Sequence, residues 1–283
     1  MKTTARLAPH PQAALEYWFF KVNAEPVALL VDWIARRKIN EQWLRVSIHS
    51  PYKRAVLFGK QSPLTSRENF LTTERTVGQL GEVAWDLDIG LGTEWIDPDI
   101  FHVNVLRVTD LSLISAPLAE FTGWVRHGGQ HINLRCARGM LSHYWGRQLA
   151  SEWWWVSANQ FDREGVAVEC SVLRSGLWGL PLRVPLAYLY LKEPAAQSLV
   201  ISPPAIAQVT GSPEKFEIQI RRFGAETIIL NAVGRDYGDL GEGIINTLVG
   251  DLEILKGGRF VARAKGTAGL ERRAPEVVQP NIP

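Results

Sequence analysis

Residues 142–162 read SHYWGRQLASEWWWVSANQFD, with three consecutive indoles at Trp153, Trp154 and Trp155. Successive side chains of a strand point to opposite faces, so a strand through this run carries indole on both faces and neither face can be left in water. Either two layers sandwich the strand as a tryptophan-rich core, or one of its faces lines a ligand site. The neighbouring residues suit the second arrangement. His143, Trp145 and Asn159 bring an imidazole, an indole and a carboxamide, and Glu169 follows in the next extended run, GVAVECSV.

The same emphasis runs through the chain, whose 283 residues contain eleven tryptophans but two methionines and two cysteines. That length is enough for one large core or two ordinary domains. A net charge of +2 with no basic block or acidic tail gives no argument for a nucleic-acid partner. Cys136 and Cys170 lack the CxxC spacing of a zinc or redox motif, which leaves a disulfide between them undecided with buried free thiols the favoured reading, and the scattered histidines have no metal-ligand spacing. Gly90-Leu91-Gly92 lacks the third glycine and the βαβ setting of a dinucleotide site. No apolar run reaches the roughly 18 to 20 residues that span a bilayer, and the N-terminus lacks a signal-peptide core. A cytoplasmic protein without stable membrane insertion is the expectation.

Short apolar runs rich in aromatic and β-branched residues predict strands at 17–23, 27–35, 42–48, 53–59, 81–89 and 101–109. The best helical pattern is 66–80, and residues 112–119, with Pro117 inside, read as a separator. A second series opens with FTGWVRHGGQHINLRCARG, where His127-Gly128-Gly129-Gln130 predicts a hairpin turn. It continues through the tryptophan run, 186–191, 215–221, 227–233, 243–253 and 259–264, with the tail after Gly269 mobile or laid over the surface. The expected fold is all-β: two consecutive antiparallel barrel halves with few short helices, at 12–116 and 117–270, followed by a tail at 271–283. Each series suffices for a closed barrel of about eight strands holding one small ligand.

YWFFKVN, FTGWVRHGGQ, SHYWG, EWWWVSANQFD, GVAVECSV and GDLGEGIINTLVGDLEI together resemble the tocopherol cyclase family, whose wider group includes the carotenoid hydratases. The most specific element is WG followed by W-x-W-V-x-x-N-x-F, matched by Trp145, Gly146, Trp153, Trp155, Val156, Asn159 and Phe161. The resemblance implies a tandem lipocalin-like fold with a cavity near the junction of its halves, and cofactor-free addition of water or an internal hydroxyl across a prenyl-type double bond. The glycine- and proline-rich loop after WG in the plant enzymes is replaced here by residues 147–150, and the chain is shorter, so the substrate does not carry over.

Such chemistry has few requirements. An alkene is a very weak base, so its protonation needs a carboxylic acid kept neutral by burial; raising an Asp or Glu to 7 costs the ionised form roughly 4 kcal/mol. The resulting cation needs a dry site faced by aromatic rings. Candidate acids are Asp32, which alternation places in a row with Ala28, Leu30 and Ile34; Asp86, which follows Trp85 as Glu follows Trp in the plant cyclases; and Glu169, where the hydratase branch has an acid. Asp86 and Asp88 share one face of their strand, a pattern that solvent would also produce. His143 with Trp145 is similar to the hydratases' His-x-Trp pair and is the candidate to orient the acid or accept a hydroxyl proton. Trp18, Trp85, Trp145, Trp153 and Trp155 are candidate substrate-facing indoles, with Asp88 and Asn159 as polar contacts; Asn159 equally suits tying down the turn after its strand. The expectation is a cyclase acting on a prenylated or polyunsaturated lipophilic small molecule, without metal or cofactor. A pericyclic variant would need no acid. A lipocalin-type carrier, or a structural module with a filled cavity, stands against it.

Overall fold

The computed structural model describes residues 6–60, 68–92, 94–96, 111–146, 150–177, 180–194, 196–201 and 205–274. Nine strands form the first sheet: β1 (Leu15–Ala24), β2 (Val27–Arg36), β3 (Glu41–His49), β4 (Arg54–Lys60), β5 (Phe70–Leu71), β6 (Arg75–Leu80), β7 (Val83–Leu91), β8 (Leu111–His127) and β9 (Gln130–Gly146). All pairings are antiparallel in the order β4-β3-β2-β1-β9-β8-β7-β6-β5, so β1 pairs with β9 and the sheet curls into a half-barrel. Ten more strands follow: β10 (Glu152–Ala158), β11 (Ala167–Leu177), β12 (Leu180–Lys192), β13 (Leu199–Ile201), β14 (Ile206–Ser212), β15 (Lys215–Arg221), β16 (Ile228–Val233), β17 (Gly238–Asp239), β18 (Ile244–Lys256) and β19 (Arg259–Arg273). Pairing of β11 with β12 closes β11-β10-β19-β18-β16-β15-β14-β12 into an eight-stranded barrel. A short 3-10 turn, Arg37–Ile39, connects β2 to β3.

Period-two alternation decides where each side chain goes. In β2, Leu29, Val31 and Trp33 enter the concave core of the first sheet, while Ala28, Leu30 and Asp32 face the second half. Both faces are buried, which is why VALLVDWIA carries apolar residues almost without interruption. In β10 the middle indole, Trp154, enters the barrel with Val156 and Ala158, and Trp153 and Trp155 point outward. The barrel is filled by its own side chains, among them Cys170, Phe216, Ile218, Leu230, Leu252 and Leu270. A ligand held inside a barrel is therefore not what this packing provides.

Several expectations change. Residues 75–80, inside the expected helix, are β6; Thr76 and Trp85 meet across β6 and β7, and tertiary pairing overrides a weak helical pattern. Pro117 lies within β8, where a register shift between Ala116 and Ala119 absorbs its missing N–H. The His127–Gln130 turn forms as expected, with positive φ at Gly128 and Gly129. Because β8 and β9 belong to the first sheet, the change of sheet falls between Gly146 and Glu152, and a division at 116/117 cuts through β8. The expected tail begins too early: β19 runs to Arg273 and carries Glu271 to the cavity wall. The strand expected at 101–109 lies outside the described residues.

Candidate functional site

The outward face of β10 and β11 meets the convex face of β1, β2 and β3, and an open-mouthed cavity lies between them. Its aromatic wall is Tyr17 and Phe19 from β1, Tyr144 from β9, and Trp153 and Trp155 from β10. Phe19 and Trp155 meet edge to face at 6.0 Å between centroids. Leu30, Leu113, Leu173 and Ile244 complete an apolar lining interrupted by Asp32, Arg45, Glu169, Ser171 and Glu271.

Glu169 is 1% exposed and faces this space from the outer side of β11. Burial pushes its carboxyl up to about 7, against the pull of Ser115, Trp155 and Lys21. The Ser115 hydroxyl donates to Oε2 at 2.6 Å and in turn accepts from Ser142 at 2.8 Å, a short relay from β8 and β9. The Trp155 indole N–H adds a pull on the same carboxyl from outside strict hydrogen-bond geometry.

A second polar group lies across the cavity. Arg45 Nε donates to Asp32 Oδ2 at 2.7 Å, with both side chains almost wholly buried. Burial raises the Glu271 carboxyl above its ordinary value, Arg45 opposing and Asp32 reinforcing the shift. Its oxygens accept from the Trp153 indole at 2.9 Å and from the Asn246 amide at 3.2 Å.

The structure separates the residues singled out in the sequence. Asp32, Glu169, Trp153 and Trp155 meet at the cavity; the others do not. Asp86 lies on the outer face of β7, held bidentately by Arg75 at 2.9 and 2.8 Å, and the Asp88 side chain is 75% exposed. Trp85 is buried in the first-sheet core with its N–H on Thr76. His143 is on the strand face opposite Tyr144: its Nε2 meets Glu16 Oε1 at 2.9 Å and its Nδ1 meets the Arg6 carbonyl at 2.8 Å. Trp18 stacks on His143, and Trp145 stacks on His10. Asn159 donates to the carbonyls of Gly139 and Pro117, tying the end of β10 to the first sheet.

His10, Glu16 and His143 bring ligand atoms within 4.8 Å of one another, the spacing of a possible metal site among the described residues. Glu16 is already engaged: its oxygens accept from the His10 backbone N–H, from Arg37 and from His143. Burial pushes its carboxyl up, but these contacts outweigh it and hold the group below its ordinary value. The cluster anchors the segment before β1.

Tyr17, Phe19, Arg45, Tyr144, Ser171 and Glu271 were not anticipated. Tyr144 was within reach of the sequence, since alternation through SHYWG must put it opposite His143 and Trp145. Arg45 and Glu271 carry no local signal, because only the docking of the two sheets buries them.

No family model matches the chain, and none of the curated proteins does. Its fold is similar to that of a Nitrosomonas europaea protein assigned as AttH, at a TM-score of 0.62 and 11% identity over 96% of this chain and 95% of that one. Kievitone hydratase from Nectria haematococca matches at 0.62 and 9% identity, covering 96% and 92% of the two chains. CghA, solved with Sch210972, matches at 0.56 and 10% identity, covering 92% and 88%. The chain thus has a tandem lipocalin-like fold of two barrel-like β halves, shared over nearly the whole length of these proteins.

Proposed function

We propose that this chain is a cofactor-independent cyclase acting on a prenylated or polyunsaturated lipophilic substrate held between its two halves. The observation that carries the reading is Glu169, a carboxyl pushed up to about 7 on the wall of an aromatic cavity. Such a group is substantially protonated at neutral pH, the state required of an acid that protonates an alkene. With Oε2 accepting from Ser115, the proton is carried on Oε1. The O–H bond breaks as a C–H bond forms on the alkene, and the π faces of Trp155, Trp153, Phe19 and the tyrosines stabilise the tertiary cation. An internal hydroxyl closes the ring and returns its proton to Glu169.

The likeness in fold to a hydratase supports an addition chemistry for this architecture; its substrate is not carried over. Incubation of the protein and Glu169→Gln with a panel of prenylated phenols and polyenes tests the proposal. Turnover by the native protein that falls at least about 100-fold in the variant is the expected result. Undiminished turnover in the variant would leave the cavity as a template for acid-free ring closure, and tight binding without turnover by either protein would make it a carrier.

A further inference from the structure

We propose that Lys21 is a positioning residue for the Glu169 proton: its ammonium group, fixed beside Glu169 where sheet and barrel meet, is the counter-charge to the carboxylate left by proton transfer. This rests on the reading of Glu169 as the proton donor.

Lys21 is 1% exposed in the middle of β1, on the same strand face as Tyr17 and Phe19, so a cationic side chain crosses the junction of the two halves. Its Nζ donates to the Ser157 carbonyl at 2.9 Å, and Ser157 is the cross-strand partner of Glu169 in the β10–β11 ladder. The position is built around the lysine. Gly269, opposite Ser157 on β19, leaves space that a Cβ would take from Lys21 Cε at 2.7 Å and from the Trp155 ring at 3.0 Å. A tie between sheet and barrel needs only a neutral donor, whereas a buried ammonium is costly unless a negative charge offsets it.

Groups around Glu169 identify that charge. From β9 comes Tyr144, from β12 come Tyr188 and Tyr190, and Cys170 is its neighbour in β11; burial pushes all four up, so they are uncharged near neutral pH. Ser115 of β8 and Trp155 of β10 are neutral donors. Lys21 of β1 is the charged partner acting on Glu169, and it is itself pushed down to about 7 by burial, with Glu169 acting the other way. When Glu169 delivers its proton, the O–H electron pair stays on the carboxylate and Lys21 faces it. The charge separation that remains is a buried pair instead of a lone anion. The proton released by the attacking hydroxyl then neutralises the carboxylate.

Carbon-13 NMR titration of the Glu169 side-chain carboxyl in the full chain tests this. Lys21→Met should move its midpoint upward by about one pH unit, because a nearby cation favours the ionised form. The same variant should lower kcat with KM changed by less than about twofold, and shift the alkaline limb of the kcat profile upward by the same amount, with Lys21→Arg restoring the native midpoint. By linkage, Glu169→Gln must move the nitrogen-15 titration of Lys21 downward by an equal interval, a measurement that does not depend on the lysine variants folding. An unmoved Glu169 midpoint in folded Lys21→Met, or an unmoved Lys21 midpoint in Glu169→Gln, overturns the proposal. If both midpoints move while Glu169→Gln keeps full turnover, the assignment of Glu169 as donor fails and the electrostatic coupling stands.

Discussion

At the cavity wall two carboxyls of similar chemistry are set apart by their partners. Asp32 faces a guanidinium at 2.7 Å, while Glu169 has a hydroxyl at 2.6 Å and its nearest cation is not hydrogen-bonded to it. Burial dominates at Glu169, and its raised affinity for a proton has two consequences with a definite sign. An acid that must be protonated loses activity as pH rises through its folded value, so kcat should fall about tenfold per pH unit above about 7. Stability follows the same proton. Between 4.5, the ordinary carboxyl value, and about 7, the folded chain holds a proton that the unfolded chain has released, so Glu169's contribution is full below 4.5 and is lost as pH rises through about 7. Glu169→Gln should remove roughly 3 kcal/mol of that pH-dependent loss, measured as the difference in urea-unfolding free energy between pH 4 and pH 8 for variant and native protein. Among the acids named from sequence, strand alternation alone could not distinguish Asp86 from Glu169. Each alternates with apolar neighbours, and the distinction is whether another sheet covers the face that carries the acid.

At the scale of the element, β10 shows how one strand serves two compartments. Trp154 packs on Phe216 inside the barrel with ring centroids 4.6 Å apart, whereas Trp155 one residue later lines the cavity. Trp154→Ala should therefore cost about 3 to 5 kcal/mol of stability, the penalty for emptying a filled core. Trp155→Ala should unfold at a denaturant midpoint much nearer to native while losing ligand affinity, because its ring borders space already open. Paired urea titrations and ligand-fluorescence titrations distinguish the two. The three-indole run in the sequence required two covered faces, and the fold supplies one of each kind: a packed interior and the wall of an open-mouthed cavity. Elements that lacked a strong local pattern were the ones misassigned. β6 has a glycine at its centre and little apolar content, and β8 passes through Pro117 where a turn residue would ordinarily end a strand.

For the whole molecule, the cavity is a property of the contact between its halves. Lys21 reaches Ser157, Asn23 reaches the Leu248 carbonyl at 2.9 Å, Gln160 reaches the Asn23 carbonyl at 2.7 Å, and Arg36 pairs with Glu242. Arg45 takes part on both sides, donating to Asp32 within the first sheet and at 3.4 Å to the Leu240 carbonyl of the second half. Asp32→Asn takes from that buried guanidinium its hydrogen-bonded counter-charge, leaving Glu271 as the remaining acid that acts on it, and should cost about 3 to 5 kcal/mol, whereas the double change Asp32→Leu, Arg45→Met should recover most of the loss. Chemical denaturation of the three proteins provides the comparison. Recovery of stability without recovery of ligand binding would show that the pair is kept for the polar end of the substrate.

Strand alternation, tryptophan content and the Gly-Gly turn in the sequence were sufficient to specify an all-β chain in two series with an aromatic site around residues 153–169. These signals act over a few residues, through the geometry of neighbouring side chains, and need no knowledge of distant partners. Which acid is buried, that the barrel is filled and the hollow lies outside it, and that Arg45, Lys21 and Glu271 belong to the same junction were decided by tertiary structure alone. Desolvation comes from whatever packs against a face, and here the covering sheet is supplied by residues more than a hundred positions away in the chain.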